Sequence, residues 1–335
     1  MDVIRKLTES CENMAGFMMT HSMSGGTGSG LGALILSRLS VLNSKKIKMG
    51  IEIYPSPNFS TCVVEDYNAL LASQCLISDT DINLLFDNES IYRICQRYLN
   101  IDRPDTSNVN YLIAKILSSA TASMRFNGEL NTDLHELVIN LVPFPCMHFM
   151  TSGMGPILPA FQLSNTVQSV AAITKECFQP SNWFVSFTDF DLLEDRYMAI
   201  SLMYRGDVQA KEANLAIQSL KANQTVLLVE WCPTGFKIGL NNIPAATLPL
   251  DGMAPCSKSC VTVANNAGIA RIFQRICKKY DLMYSQRAFV HWYVGEGLSE
   301  GFFEEARSCL DALEKDYLEL SSEQLSSDEY DETDY

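Results

Sequence analysis

The run Ser24-Gly25-Gly26-Thr27-Gly28-Ser29-Gly30 has the residue types and spacing of a phosphate cradle. Glycines let a backbone approach a ligand closely and adopt positive φ. Successive N–H groups can then converge on an oxyanion, and a following helix adds the positive end of its dipole. Thr27 and Ser29 add hydroxyl donors. The run lies between an apolar, strand-like segment from Gly16 and a helical pattern from Leu31 to Leu42. A P-loop would end in Gly-Lys-Ser/Thr, and this run does not. Gly28-x-Gly30-x-x-Ala33 fits the dinucleotide fingerprint, with Glu52 in the next apolar run as the acidic residue, so hydride transfer is a rival reading. A glycine-rich turn that holds no ligand is the bland one.

A second candidate is the pair Asp133 and Glu136, three residues apart on one face of a helix's first turn. As structure, they read as a capping box with Asp133 at the N-cap and Glu136 reaching back. As chemistry, they read as an acidic pair that orients or deprotonates a water. Both readings stand on spacing alone. The four histidines, His21, His135, His148 and His291, are dispersed and each reads as a satisfied core or surface residue.

The elements that must position these residues alternate early and mix later. Strands are expected near 16–22, 48–54 and 84–86, with helices at 31–42, 64–78 and 90–99, which is βαβ patterning with ligands at the strand carboxyl ends. One long helix is expected from Asn108 to Arg125, another after Asn127-Gly128, and strands at 147–149, 183–187, 197–203 and 226–232. A last helix, Ser299 to Leu320, carries Phe302, Phe303, Ala306, Leu310, Leu313 and Tyr317 on one stripe and acids opposite. At 335 residues and 47% hydrophobic, the chain can bury a large core in about two domains. A net charge of -14 argues against a nucleic-acid partner. No apolar run reaches membrane-span length, so no membrane partner is expected. Eleven cysteines without a Cys-x-x-Cys read as free thiols in a reducing cytosol. Ser321 to Tyr335 has six acidic residues and no basic one, and reads as a disordered tail, a brush for basic partners or a solubilising end.

Several segments together carry a family resemblance. The glycine-rich run is similar to the tubulin signature loop. Tyr54-Pro55-x-Pro57, Asp87-Asn88-Glu89-x-Ile91-Tyr92 and Tyr204-Arg205-Gly206-Asp207-Val208 also resemble tubulin, in order. So do Trp231-Cys232-Pro233-Thr234-Gly235-Phe236-Lys237 and Arg287-Ala288-Phe289-Val290-His291-Trp292. The dehydrogenase reading has no comparable second match. Within the family the chain resembles the alpha type, through Glu136, the long loop between Asn241 and Lys258, and the terminal Tyr335.

The resemblance implies an α/β fold: the remnant of a parallel-sheet GTP-binding domain, a mixed-sheet intermediate domain and a C-terminal helical hairpin. Its divisions would fall at 1–107, 108–126 (a core linking helix), 127–263 and 264–320, with the tail at 321–335. It implies GTP as ligand, with Ser22, Gly25, Gly26, Thr27 and Gly28 at the phosphates, Thr61 and Glu65 near phosphates and ribose, and Asn88 and Asn110 on guanine. Amide side chains suit a purine edge, offering both a donor and an acceptor. Glu136, with Asp133 beside it, would act in trans on the GTP of a neighbouring beta subunit. Implied partners are beta tubulin, and microtubule-associated proteins and motors at the C-terminal helices and tail, in a cytoplasmic cytoskeleton.

Departures qualify these expectations. Met1 to Leu7 resembles the middle of a family helix, so roughly the family's first quarter, including a residue serving Mg2+, has no counterpart in this sequence. The sequence therefore leads us to expect unpaired sheet groups, each costing about 1–3 kcal/mol, exposed apolar surface, and weakened GTP binding. The alternative function is a tubulin-like protein that neither binds GTP nor polymerises. Thr106 stands where the family places a stacking tyrosine, Asn165 and Thr166 fall near a lateral contact, and 188–195 reads as a short insertion.

Overall fold

The computed structural model describes residues 1–60, 62–160, 169–187, 195–248 and 252–322. The expectations for Thr61, Asn165, Thr166, most of the 188–195 insertion and the acidic tail lie outside the described residues.

After α1 (Asp2–Glu9), the chain lays down β1 (Gly16–Ser22), α2 (Gly32–Leu42), β2 (Ile47–Tyr54), α3 (Glu65–Asp79), β3 (Ile82–Asp87) and α4 (Asn88–Tyr98). β1, β2 and β3 pair in parallel. β3 is buried along its whole length, which explains its near-continuous apolar run. α5 (Thr106–Ala120), α6 (Ala122–Arg125) and α7 (Leu134–Leu141) lead to β4 (Phe149–Gly155), which joins β3 through Asn83–Phe149 and Leu84–Met150. Beyond it come α8 (Val170–Cys177), β5 (Tyr197–Gly206), α9 (Ala210–Ala222), β6 (Phe236–Asn241) and β7 (Lys258–Asn266). The sheet order is β1-β2-β3-β4-β7-β5-β6, with β7 antiparallel to both neighbours. One sheet thus turns from parallel to mixed at β4, as the α/β expectation requires.

Alternation along the strands splits the core into layers. Tyr54 and Leu85 face α3 and the C-terminal helices, whereas Ile51, Leu84 and Phe86 face α4, α5 and α7. A third cluster joins Ile200, Leu202 and Tyr204 to α8 and α9. The C-terminal helices are α10 (Ile269–Tyr284), α11 (Val290–Gly295) and α12 (Glu300–Ser322). Around Phe303 of α12, Tyr67, Tyr284 and Tyr293 stand with ring centroids 5.7, 5.7 and 5.6 Å away. Phe303 has no exposed surface, so Phe303→Ala is expected to destabilise the chain by about 3–5 kcal/mol. A urea midpoint no lower than wild type would show that α12 is not an integral part of this core.

The structure corrects several sequence expectations. Residues 183–187 form no strand and make one bridge, Gly153 to Trp183. Residues 226–232 likewise make one bridge, Tyr197 to Leu228. Both run as irregular chain: 183–185 is buried, whereas 226–232 buries Val226 and Val229 and leaves Trp231 exposed. The helix expected at 108–125 breaks at Thr121, whose hydroxyl donates to Leu117 O at 2.8 Å; such back-bonding bends helices. Phe302 is only partly buried, and the stripe of α12 is Phe303, Ala306, Leu310, Leu313 and Tyr317. Among the described residues, β1 pairs only with β2, Met18 is 40% exposed, and α1 buries no residue. No described helix is long and apolar enough to cross a membrane.

Candidate functional site

Because β1, β2 and β3 run the same way, the loops after Ser22, Tyr54 and Asp87 share one end of the sheet, where open parallel sheets bind ligands. Met23 N–H donates to Ile53 O at 3.0 Å and starts the glycine-rich loop beside β2. Gly26 then takes helical angles, φ −62° and ψ −34°, and Thr27–Leu31 makes a π turn that runs into α2.

None of the loop glycines has positive φ, contrary to the sequence expectation. Their small size provides space instead. A Cβ on Gly28 would stand 2.0 Å from Ser22 O, so the chain crosses itself there in backbone contact. Cβ atoms on Gly25, Gly26 and Gly30 would meet nothing within 4 Å, leaving an open surface over which an oxyanion can approach the N–H groups. Ser22 and Thr27 are exposed. Ser29 is buried, and its hydroxyl donates to Gly25 O at 2.7 Å. It pins the turn and is not the phosphate donor that sequence suggested. Asn68 Nδ2 of α3 donates to Ser24 O at 2.9 Å, and Tyr293 OH orients that amide by donating to its Oδ1 at 2.8 Å.

The next two loops are tied together. Asn58 donates through N–H and Nδ2 to the Glu89 carboxylate, both at 3.1 Å, and Ser56 Oγ donates to Asp87 Oδ1. Asp87 caps α4 by accepting from Glu89 N–H at 3.0 Å. Burial pushes its carboxyl up from the ordinary value, against the pull of the Ser56 and Glu89 hydrogen bonds. Asn88 follows, and its Oδ1 is buried with no hydrogen-bond partner. Such an orphan costs about 1–3 kcal/mol, recovered when a donor such as a purine N–H arrives. Glu65 starts α3 and is buried. Asn110 is exposed in the first turns of α5, which packs against α4. Thr106 is also exposed, at the start of α5 behind an Asp105/Asn108 capping box. Among the described residues no group of three or more His, Cys, Asp or Glu side chains is placed to hold a metal ion.

Glu52 does not serve as a ribose acid. It lies mid-strand, fully buried. Burial pushes its carboxyl well above the ordinary value, so the folded chain keeps a proton that the unfolded chain releases as pH rises through the ordinary glutamate range. Native protons then outnumber unfolded ones, and stability falls as pH rises over that window. Glu52→Gln is expected to flatten this fall in a plot of Tm against pH; an unaltered slope would assign it to another group.

Asp133 and Glu136 sit elsewhere. Leu134, between them, approaches the start of β1: a Cβ on Gly16 would lie 2.9 Å from Leu134 Cδ2. β1 then runs away from α7 for about 20 Å before the glycine-rich loop begins. Asp133 caps α7, accepting from Glu136 N–H at 2.7 Å. Glu136 does not complete a capping box; its Oε2 pairs instead with Lys237 Nζ of β6 at 3.1 Å, with nearly half its side chain exposed. Sequence reasoning missed Lys237 because β6 meets α7 only in the fold.

A parallel-to-mixed α/β sheet with a glycine-rich turn and an orphaned amide at its carboxyl ends places the chain in the class of α/β proteins whose ligand site is that end of the sheet. Comparison with known proteins is more specific. The model of the tubulin/FtsZ family, GTPase domain, matches residues 1–96, and that of the tubulin C-terminal domain matches residues 145–278. The chain is 48% identical over 323 residues to the tubulin alpha chain, nucleomorph, of Guillardia theta, covering 96% of this chain and 71% of that one. It is 46% identical over 335 residues to the tubulin alpha-3 chain of Zea mays, covering 100% of this chain and 74% of that one. The chain belongs to the tubulin family, and these relatives are alpha chains.

Proposed function

We propose that this chain is an alpha-type subunit of a cytoplasmic microtubule cytoskeleton. It takes GTP at the carboxyl ends of β1, β2 and β3, pairs with beta tubulin over that face, and presents Glu136 from the opposite end to the GTP of another beta subunit. The observation that carries this reading is the separation of the two sites. Glu136 is about a strand's length from the chain's own glycine-rich loop, so its chemistry serves a nucleotide held by a neighbour. Head-to-tail contacts of this kind generate filaments rather than closed dimers.

In that contact the Glu136 carboxylate takes a proton from water as the water oxygen attacks the γ-phosphorus. The bond to the bridging oxygen breaks, giving GDP and phosphate. Asp133 fixes the first turn that carries Glu136. On the chain's own nucleotide, Ser22, Gly25, Gly26, Thr27 and Gly28 take the phosphates, Thr61 and Glu65 flank phosphates and ribose, and Asn88 and Asn110 read guanine. Mg2+ accompanies the phosphates in the family, and no residue here is assigned to it. The exposed acids of α12, Glu304, Glu305 and Asp316, suit basic surfaces of microtubule-associated proteins and motors.

Sedimentation of the chain with beta tubulin and GTP tests the assembly. No complex at micromolar concentration would remove this reading. The alternative is a chain that does not hold GTP by itself, and isothermal titration separates the two. If GTP binds, Asn88→Ala is expected to weaken it about tenfold, as loss of one hydrogen bond to the base implies. Equal loss for ATP would contradict guanine readout.

A further inference from the structure

Beneath the glycine-rich loop lies a polar pair that the nucleotide reading leaves unused. His21 on β1 and Glu52 on β2 are register partners, with side chains 5% and 0% exposed. His21 Nδ1 lies 2.9 Å from Gly28 O. A carbonyl only accepts, so this nitrogen carries the proton. The ring also underlies the start of α2, where a Cβ on Gly32 would come within 3.2 Å of Nδ1. A side chain at the root of the loop therefore ties down its far end.

The other ring nitrogen, Nε2, is buried with no hydrogen-bond partner and faces Glu52 Oε1 at 3.9 Å. Burial pushes the imidazole down and the carboxyl up, each away from its charged form. Asn83 of β3, with its amide turned so that both ends are satisfied, donates to Glu52 Oε1 at 2.9 Å. Glu52 Oε2 has no partner. Titratable groups on this side include Tyr54, whose hydroxyl pairs with Ser73 of α3 at 2.9 Å, and His148, beyond Asn83.

We infer that His21 is a positioning residue for the nucleotide loop, holding the Gly28 carbonyl through Nδ1–H with the ring itself packed over Glu52 of the neighbouring strand. The contact with the Gly28 carbonyl selects the tautomer that carries its proton on Nδ1. A loop held this way presents its N–H groups already ordered, which lowers the entropy cost of binding. The role in binding rests on the nucleotide reading above; the role in ordering the loop does not.

Two measurements test it: amide hydrogen exchange over residues 24–30 in the unliganded chain, and affinities for GDP and guanosine. His21→Phe is expected to speed exchange in this loop alone and to weaken GDP about tenfold, with guanosine unaffected. His21→Asn returns an N–H donor to the Nδ1 position and is expected to restore both. Unaltered loop exchange in His21→Phe overturns the inference, as does equal loss of GDP and guanosine. If the unmodified chain binds neither ligand, the nucleotide reading fails, and loop exchange in His21→Phe still decides the positioning role.

Discussion

Replacing Glu136 by Gln is expected to lower GTP turnover in copolymers with beta tubulin by about 10²–10⁴-fold, the usual contribution of a positioned general base. The substitution keeps the shape of the side chain and removes its ability to take a proton. Stability should barely change. The carboxylate is nearly half exposed and pairs with Lys237 across the surface, and exposed pairs of this kind contribute about 0–1 kcal/mol. Asp133→Ala should behave differently: it removes the acceptor for Glu136 N–H, so about 0.5–2 kcal/mol of stability goes with it. Phosphate release measured beside thermal melting separates the two roles. Full turnover in Glu136→Gln would mean that the water is activated by something other than this carboxylate.

The second large effect is expected at Gly28. Its Cβ position lies 2.0 Å from Ser22 O and 3.0 Å from Ser22 N, both backbone atoms that cannot swing aside. Gly28→Ala must therefore shift the loop, at a cost of about 1–3 kcal/mol or more, as overpacking does elsewhere. The shift also takes Gly28 O away from His21 and re-aims the N–H groups at the start of α2. Each charge-assisted hydrogen bond lost to phosphate is worth about 1.5–3 kcal/mol, so GTP affinity should fall by about 10–100-fold or more. Gly25→Ala is the informative companion. Nothing lies within 4 Å of its Cβ position, so the unliganded chain should melt as wild type while the open surface for the ligand is lost. A Gly25→Ala chain that binds GTP normally would place the phosphates elsewhere.

Much of the positioning framework was legible in the residues. The alternation of β1, α2, β2, α3, β3 and α4 follows from apolar periodicity and turn residues, which are local properties of the chain. The apolar stripe on α12 announced a buried face for the same reason. Local pattern could not say which apolar runs would become strands. Residues 183–187 and 226–232 are as apolar as β5, yet each makes a single bridge and runs as connecting chain, with Phe184 and Val229 turned inward and Trp231 left exposed. β6 and β7 went unanticipated because Phe236–Asn241 and Lys258–Asn266 mix polar and apolar residues, and pairing with β5 makes them strands.

For the candidate site the division is similar. By itself, the sequence determined which residues are equipped for chemistry: glycines dense enough for backbone to meet phosphate, amides able to read a purine edge, and two acids on one helical turn. Tertiary structure decided what each is free to do. It turned Ser29 inward onto Gly25 O, buried Glu52 where an ionised carboxylate is disfavoured, left Asn88 Oδ1 without a partner, and paired Glu136 with Lys237. It also set the glycine-rich loop and Glu136 at opposite ends of β1. The physical reason is range: residue type and spacing act over a few positions, whereas burial, charge pairing and distance arise between strands that meet only after the chain has folded.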